Sequence, residues 1–245
     1  KGSATQFDEK EWFHTMKKAW FMEELVKKHG DIMDKYDPEK NIGMIVDEWG
    51  CWFDVEPGTN QGFLYQQNTM LDALVACVTL NIFNKHCDRV KMANIAQMVN
   101  VLQSVILTEG EKMILTPTYH IFHMYKYHQN AQLLESFMET EEIGVEDYRV
   151  PDISESVSVA GEGNIHITLG NLSVTDAKEI EVLFAGKKAE KVEAAILTGS
   201  MDAYNTFDEP ENVKEQEFTD YTVTEGGSIK LTVPACAVIH MEVKA

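Results

Sequence analysis

The chain has 245 residues, 40 of them acidic and 21 basic, giving a formal charge of −19 at pH 7 with 44% hydrophobic content. This is the composition of a globular protein of one large or two modest domains. The negative charge repels phosphate backbones and anionic lipid, so nucleic acid and membrane surfaces are poor partners and a neutral or cationic ligand fits better.

From Asp8 to about Tyr36, Trp12, Phe13, Met16, Trp20, Leu25 and Val26 recur at helical spacing ahead of a breaking Asp37-Pro38, which predicts one long amphipathic helix. The short apolar run Ile42–Val46 then predicts a strand covered on both faces, as parallel strands between helices are. A Gly- and Pro-rich loop from Glu56 to Gly62 leads into a second helix, "NTMLDALVACVTLNIFNKH". A further helical stretch is expected from about Asp88 to Val99, and a second buried strand at "VLQSVIL", Val101 to Leu107. A turn at Glu109-Gly110-Glu111 precedes a closing helix in "PTYHIFHMYKYH". Beyond Gln132 short alternating runs separated by Gly, Asn and Asp turns predict an all-β sandwich. The division falls between Tyr127 and Leu134, giving an α/β portion over 1–130 and a sandwich over 131–245.

The four cysteines, Cys51, Cys77, Cys87 and Cys236, form no C-x-x-C pair and read as free thiols. No run of 18 apolar residues occurs. The N-terminal KGSATQFDEK has neither an initiator Met nor an apolar signal core, so the chain is expected to begin mid-protein and to leave its compartment, cytoplasmic or periplasmic, open.

The chemistry is concentrated in "IGMIVDEWGCWFDVEPG", Ile42 to Gly58. Functional groups of parallel α/β folds sit at the C-terminal ends of strands, and Asp47 and Glu48 stand at such an end. Neighbouring residues on a regular strand point to opposite faces, so one acid is expected to act and the other to assist. Trp49 and Trp52 offer flat faces suited to the C–H faces of a neutral sugar. From the residues alone, capping by the acids and core packing by the tryptophans remain open.

The run from "VDEWGCWFDVEPGTNQGF" through "DALVACVTLNIFNKHCDRVKMANIAQMVNVLQSVIL", with "TPTYHIF", "YNTFDEPENV" and "LTVPACAVIHMEV", resembles glycoside hydrolase family 51, the α-L-arabinofuranosidases. The resemblance implies the C-terminal part of a (β/α)8 TIM barrel followed by a jelly-roll-like β-sandwich. It also implies a retaining hydrolase that releases terminal α-L-arabinofuranosyl residues from arabinan, arabinoxylan or their oligosaccharides, with a non-catalytic carbohydrate-binding or assembly fragment, or a related glycosidase acting on another sugar, as the alternatives. Glu48 matches the nucleophile at the end of the seventh barrel strand, Trp49 and Trp52 match aromatic positions near the sugar, and Asp47 is assigned a supporting role. Many members carry a sugar-contacting Gln near the end of the eighth strand, a position aligned here with Thr116. The acid/base Glu of the family follows an Asn, and no Asn-Glu pair occurs in this sequence, so that residue is expected upstream of Lys1. Two strands cannot close a barrel, and uncovered edges invite association with the missing barrel half, in the same or a companion chain, or with a second copy.

Other constellations are weaker. His120, His123 and His128 lack metal-ligand spacing, so neither metal nor cofactor is expected. Cys87 beside His86 sits at a helix junction, where adjacent residues do not face each other. Cys51 reads as small apolar filler, and Asn171-Leu172-Ser173 fits a glycosylation sequon of the kind common by chance.

Overall fold

The computed structural model describes residues 2–161 and 163–245. Helix α1 spans Glu9–Tyr36 and starts where Asp8 and Glu11 cap it reciprocally, each side chain taking the other's backbone N–H. Its buried stripe is Trp12, Phe13, Met16, Ala19 and Val26, and the Trp12 indole donates to the Leu172 carbonyl at 3.0 Å. At its far end Arg89 donates to Asp37 Oδ2 at 2.8 Å and to the Ile42 carbonyl at 2.8 Å, and pairs with Asp34. That guanidinium fixes the helix end against the start of the next strand.

Strand β1, Met44–Trp49, pairs in parallel with β2, Val90–Ile95. The helix expected over Asp88–Val99 is therefore a strand. A six-residue segment carries too little periodicity to separate the two states, and the parallel ladder with β1 decides it. Only one face of β1 is covered: Met44 and Val46 pack on the helical core, while Ile45, and Ile42 just before the strand, are exposed. Val101–Val105 is loop, correcting the strand expected there. Only Ile106–Glu109, strand β3, is extended, and it forms a hairpin with β4, Lys112–Leu115, across Gly110 in the left-handed region.

Helix α2, Met70–Lys85, is apolar nearly all round and lies at the centre of the molecule. Thr69 and Asp72 form its capping box. Helix α3, Pro117–Tyr125, begins with Thr116 as N-cap and Pro117 in the first turn, and continues into a 3₁₀ turn, Lys126–His128.

The remaining strands are β5 (Gln132–Leu133), β6 (Glu142–Val145), β7 (Tyr148–Pro151), β8 (Ile153–Val159), β9 (Ile165–Asn171), β10 (Lys178–Val182), β11 (Lys191–Thr198), β12 (Gln216–Glu217), β13 (Tyr221–Val223), β14 (Ile229–Val233) and β15 (Ala237–Lys244). They build a six-stranded antiparallel sheet in the order β12-β11-β15-β9-β8-β5 and a three-stranded sheet, β10-β14-β13. Ile165, Ile167, Leu169, Ile239 and Met241 of the first meet Ile229, Leu231 and Val233 of the second in a sandwich core. The β6-β7 hairpin returns to α1, where Tyr148 meets His14 edge-on at 4.9 Å.

Helix α2 packs on the other face of the six-stranded sheet. That face is polar: Asn81 donates to Ser154 Oγ at 2.9 Å and accepts from Tyr125, Ser156 and Thr168 hydroxyls at 2.8, 2.8 and 3.0 Å. Among the described residues no barrel closes and β1-β2 is the only parallel pair of strands, so a complete TIM barrel is not in this chain. The architecture is mixed α/β joined to a β-sandwich.

Candidate active site

The C-terminal end of β1 is irregular. Val46 pairs with Ala93 and Trp49 with Ile95, so two residues, Asp47 and Glu48, stand opposite Asn94 alone. This bulge inserts one residue and breaks the alternation expected of a regular strand. Asp47 and Glu48 are both exposed, while Trp49 turns back into the core at 5% exposure.

The two tryptophans are separated. Trp49 stacks on Phe122 with ring centres 6.0 Å apart and meets Phe83 edge-on at 5.8 Å. Trp52 is 56% exposed. Both border a cleft of about 370 Å³ with Phe7, Glu11 and His14.

Thr116 is not at the end of a parallel strand. It is 1% exposed, its hydroxyl donates to the backbone of Ser104 and Val105 at 2.7 and 2.9 Å, and it caps α3. The second parallel strand is β2, and the exposed polar residue just beyond its end is Gln97. Ala96 N–H donates to the Trp49 carbonyl at 2.9 Å, which places Gln97 beside the strand end that carries Glu48. Sequence reasoning missed Gln97 because the strand in "VKMANIAQ" was read as helix. The signal was the polar residue closing that run.

Below the strand end lies a buried polar layer. Asp72 is fully buried, accepts from Thr69 N–H at 2.8 Å, and burial raises its carboxyl to about 7. Burial also holds the Cys51 thiol well above its ordinary value, so it is a poor nucleophile. Cys51, Cys77 and Cys236 are buried free thiols and Cys87 is an exposed one. Asn171 is fully buried with its amide donating to the carbonyls of Asp176, Val233 and Pro234, so the sequon is not an accessible acceptor. The histidines serve packing contacts: His123 pairs with Glu215 at 2.6 Å and His128 with Ser158 at 2.8 Å. No cluster of three metal-ligating side chains occurs among the described residues.

A parallel strand end with two exposed carboxylates thus lies on an α/β layer packed against a β-sandwich. Residues 47–237 match the family described as the Alpha-L-arabinofuranosidase C-terminal domain, and the chain belongs to that family. It is 46% identical over 246 residues to an intracellular exo-alpha-L-arabinofuranosidase of Bacteroides ovatus, covering 100% of this chain and 48% of that protein. The crystal structure of the GH51 arabinofuranosidase from Xanthomonas axonopodis pv. citri superimposes with a TM-score of 0.97 at 42% identity, over 100% of this chain and 50% of that one. An alpha-L-arabinofuranosidase from Thermotoga maritima shares the fold, with a TM-score of 0.79 at 22% identity over 96% of this chain and 50% of its own. The chain thus spans about half the length of these relatives.

Proposed function

We propose that this chain carries the nucleophile-bearing half of a retaining exo-α-L-arabinofuranosidase. The observation that carries the reading is the bulge at the end of β1, which exposes Glu48 at the strand end near Gln97, four residues before the exposed Trp52. In this reading a Glu48 oxygen attacks the anomeric carbon of a terminal α-L-arabinofuranosyl residue of arabinan, arabinoxylan or a derived oligosaccharide. The bond to the leaving oxygen breaks as the ester forms, and an acid outside this chain, about 5–5.5 Å away, protonates that oxygen. The same group then takes a proton from water, which attacks the anomeric carbon and frees Glu48. Trp52 offers its face to the sugar ring, Gln97 its amide to a hydroxyl, and Asp47 supports the strand end. Trp49 and Thr116 act from beneath, through the core and the start of α3.

Residues 1–130 are, on this proposal, the last units of a (β/α)8 barrel, and 131–245 its companion sandwich. The exposed Ile42, Ile45 and Met92 suit a face on which further strands pack. Without the general acid this chain alone is expected to turn over poorly leaving substrates about 10²–10⁴-fold more slowly than the complete enzyme.

The test compares an α-L-arabinofuranoside bearing a poor leaving group with this chain and with one extended N-terminally to the length of its relatives. Activity is expected in the longer chain and abolished there by Glu48→Gln, with folding retained. A glycosyl intermediate trapped on any residue other than Glu48 overturns the assignment, and full activity in the short chain overturns the missing acid.

A further inference from the structure

After β1 the segment Cys51–Phe53 runs without a neighbouring strand, yet its backbone is not left to water. Gln103, fully buried, accepts from the Cys51 N–H through Oε1 at 2.9 Å and donates Nε2 to the Asp72 carbonyl at 2.7 Å. Gln66, 1% exposed, accepts from the Phe53 N–H at 2.7 Å and donates to the Cys51 carbonyl at 3.4 Å. Burying a carboxamide is unfavourable unless its donor and acceptor are both matched. Here two acceptors and one donor are matched to the same three residues, and the second donor goes to Asp72 on the neighbouring helix. A carboxamide offers an acceptor oxygen and N–H donors, the same kinds of group that a peptide presents, so the pair stands in for the strand that is absent.

The cradle is itself anchored. Gln103 Nε2 also lies 3.4 Å from Thr118 Oγ1 in the first turn of α3, and Asn68 donates to the carbonyls of Gln66 and Leu102, each at 3.3 Å. Gly50 leaves the room: its φ is +128°, and a Cβ there would lie 2.8 Å from Gln103 Oε1. The residue held between the two glutamines is Trp52, whose ring is pushed outward.

We propose that Gln66 and Gln103 are positioning residues that aim the Trp52 ring at the sugar bound by Glu48. This rests on the reading of Glu48 and Trp52 given above. Neither glutamine touches substrate; together they fix the backbone from which the aromatic face projects, and so act on KM more than on kcat.

The test uses the N-terminally extended chain with Gln103→Met, Gln66→Met and Trp52→Ala, alone and combined, assayed on an aryl α-L-arabinofuranoside. Amide hydrogen exchange is followed at Cys51 and Phe53. Loss of one buried hydrogen bond predicts about tenfold faster exchange at Cys51 in the first variant and at Phe53 in the second. It also predicts a KM raised about tenfold with kcat changed less, and no further KM effect of either Met variant once Trp52 is Ala. Unchanged exchange, or an equal Met effect with and without Trp52, overturns the proposal. If Trp52→Ala leaves KM untouched, the role assigned to Trp52 fails, and with it the aim of the cradle, while the exchange rates still report whether the glutamines hold the segment. Should one Met variant not fold, the other carries the same comparison.

Discussion

Acid should loosen this protein through histidines that stay neutral in the fold. Tyr127 stacks on His166 and His240 with ring centres 5.0 and 4.8 Å apart, and His166 Nδ1 lies 3.2 Å from His240 Nε2. His128 bonds Ser158 at 2.8 Å and Thr168 at 3.2 Å on the same sheet face. Burial lowers His128 from 6.5 to about 4, and burial with the nearby His166, His128, Lys126 and His123 lowers His240 to about 3. His166 is lowered by burial too, against the opposing pull of Glu242. In the unfolded chain these imidazoles take a proton near pH 6.5. Their neutral packing therefore contributes fully above pH 6.5, and the contribution is lost as pH falls toward 4 for His128 and 3 for His240. At pH 5 the gap is about 1.5 pH units for each, worth about 2 kcal/mol apiece and about 4 kcal/mol for the two. Urea unfolding at pH 7.5 and 5.0 measures it, comparing the natural chain with the double variant His128→Gln/His240→Gln. The natural chain should lose about 4 kcal/mol more than the variant over that interval. Equal losses in both refute the reasoning, because every other titrating group is shared.

Two further changes probe the seam between helix and sandwich. Asn81→Leu removes the side-chain oxygen to which the hydroxyls of Tyr125, Ser156 and Thr168 donate, leaving Tyr125 the Cys77 carbonyl at 3.2 Å and leaving Ser156 and Thr168 each other at 3.1 Å. It should destabilise by about 2–4 kcal/mol and lower Tm by roughly 5–15 °C; a fall under about 2 °C in a thermal melt would show that the hydroxyls re-pair among themselves. Gly170→Ala places a Cβ 2.5 Å from Cys77 Sγ on α2, an overpacking expected to cost about 1–3 kcal/mol in urea unfolding. Adding Cys77→Ala should recover most of it, and failure to do so would place the strain elsewhere.

The long amphipathic helix, the apolar central helix and the alternating strands were legible because each carries its own period over enough residues to be unambiguous. The candidate site was half legible. Glu48 and Trp52 stand in a pattern that sequence can flag, whereas Gln97 was hidden by the misread strand. The family resemblance aligns Thr116 with a sugar-contacting Gln, whereas its hydroxyl caps the first turn of α3. The glutamine cradle had no sequence signal at all, since Gln66 and Gln103 are 37 positions apart and meet only through the loop they hold.

Local pattern determined what each segment could be: period 3.6 in α1, continuous apolarity in α2, period 2 in the sandwich strands, and acids at the end of β1. Tertiary structure decided what those patterns meant. Ser154, Ser156, Ser158, His166 and Thr168 alternate with apolar residues as a solvated face would, yet α2 and the turn after α3 cover them and their hydroxyls pair with Asn81 and His128. The bulge that exposes both Asp47 and Glu48 exists only in the ladder with β2, whose register shifts by one residue between Val46 and Trp49. Sequence periodicity reports which faces of an element differ, but which face meets water is fixed by what packs against it.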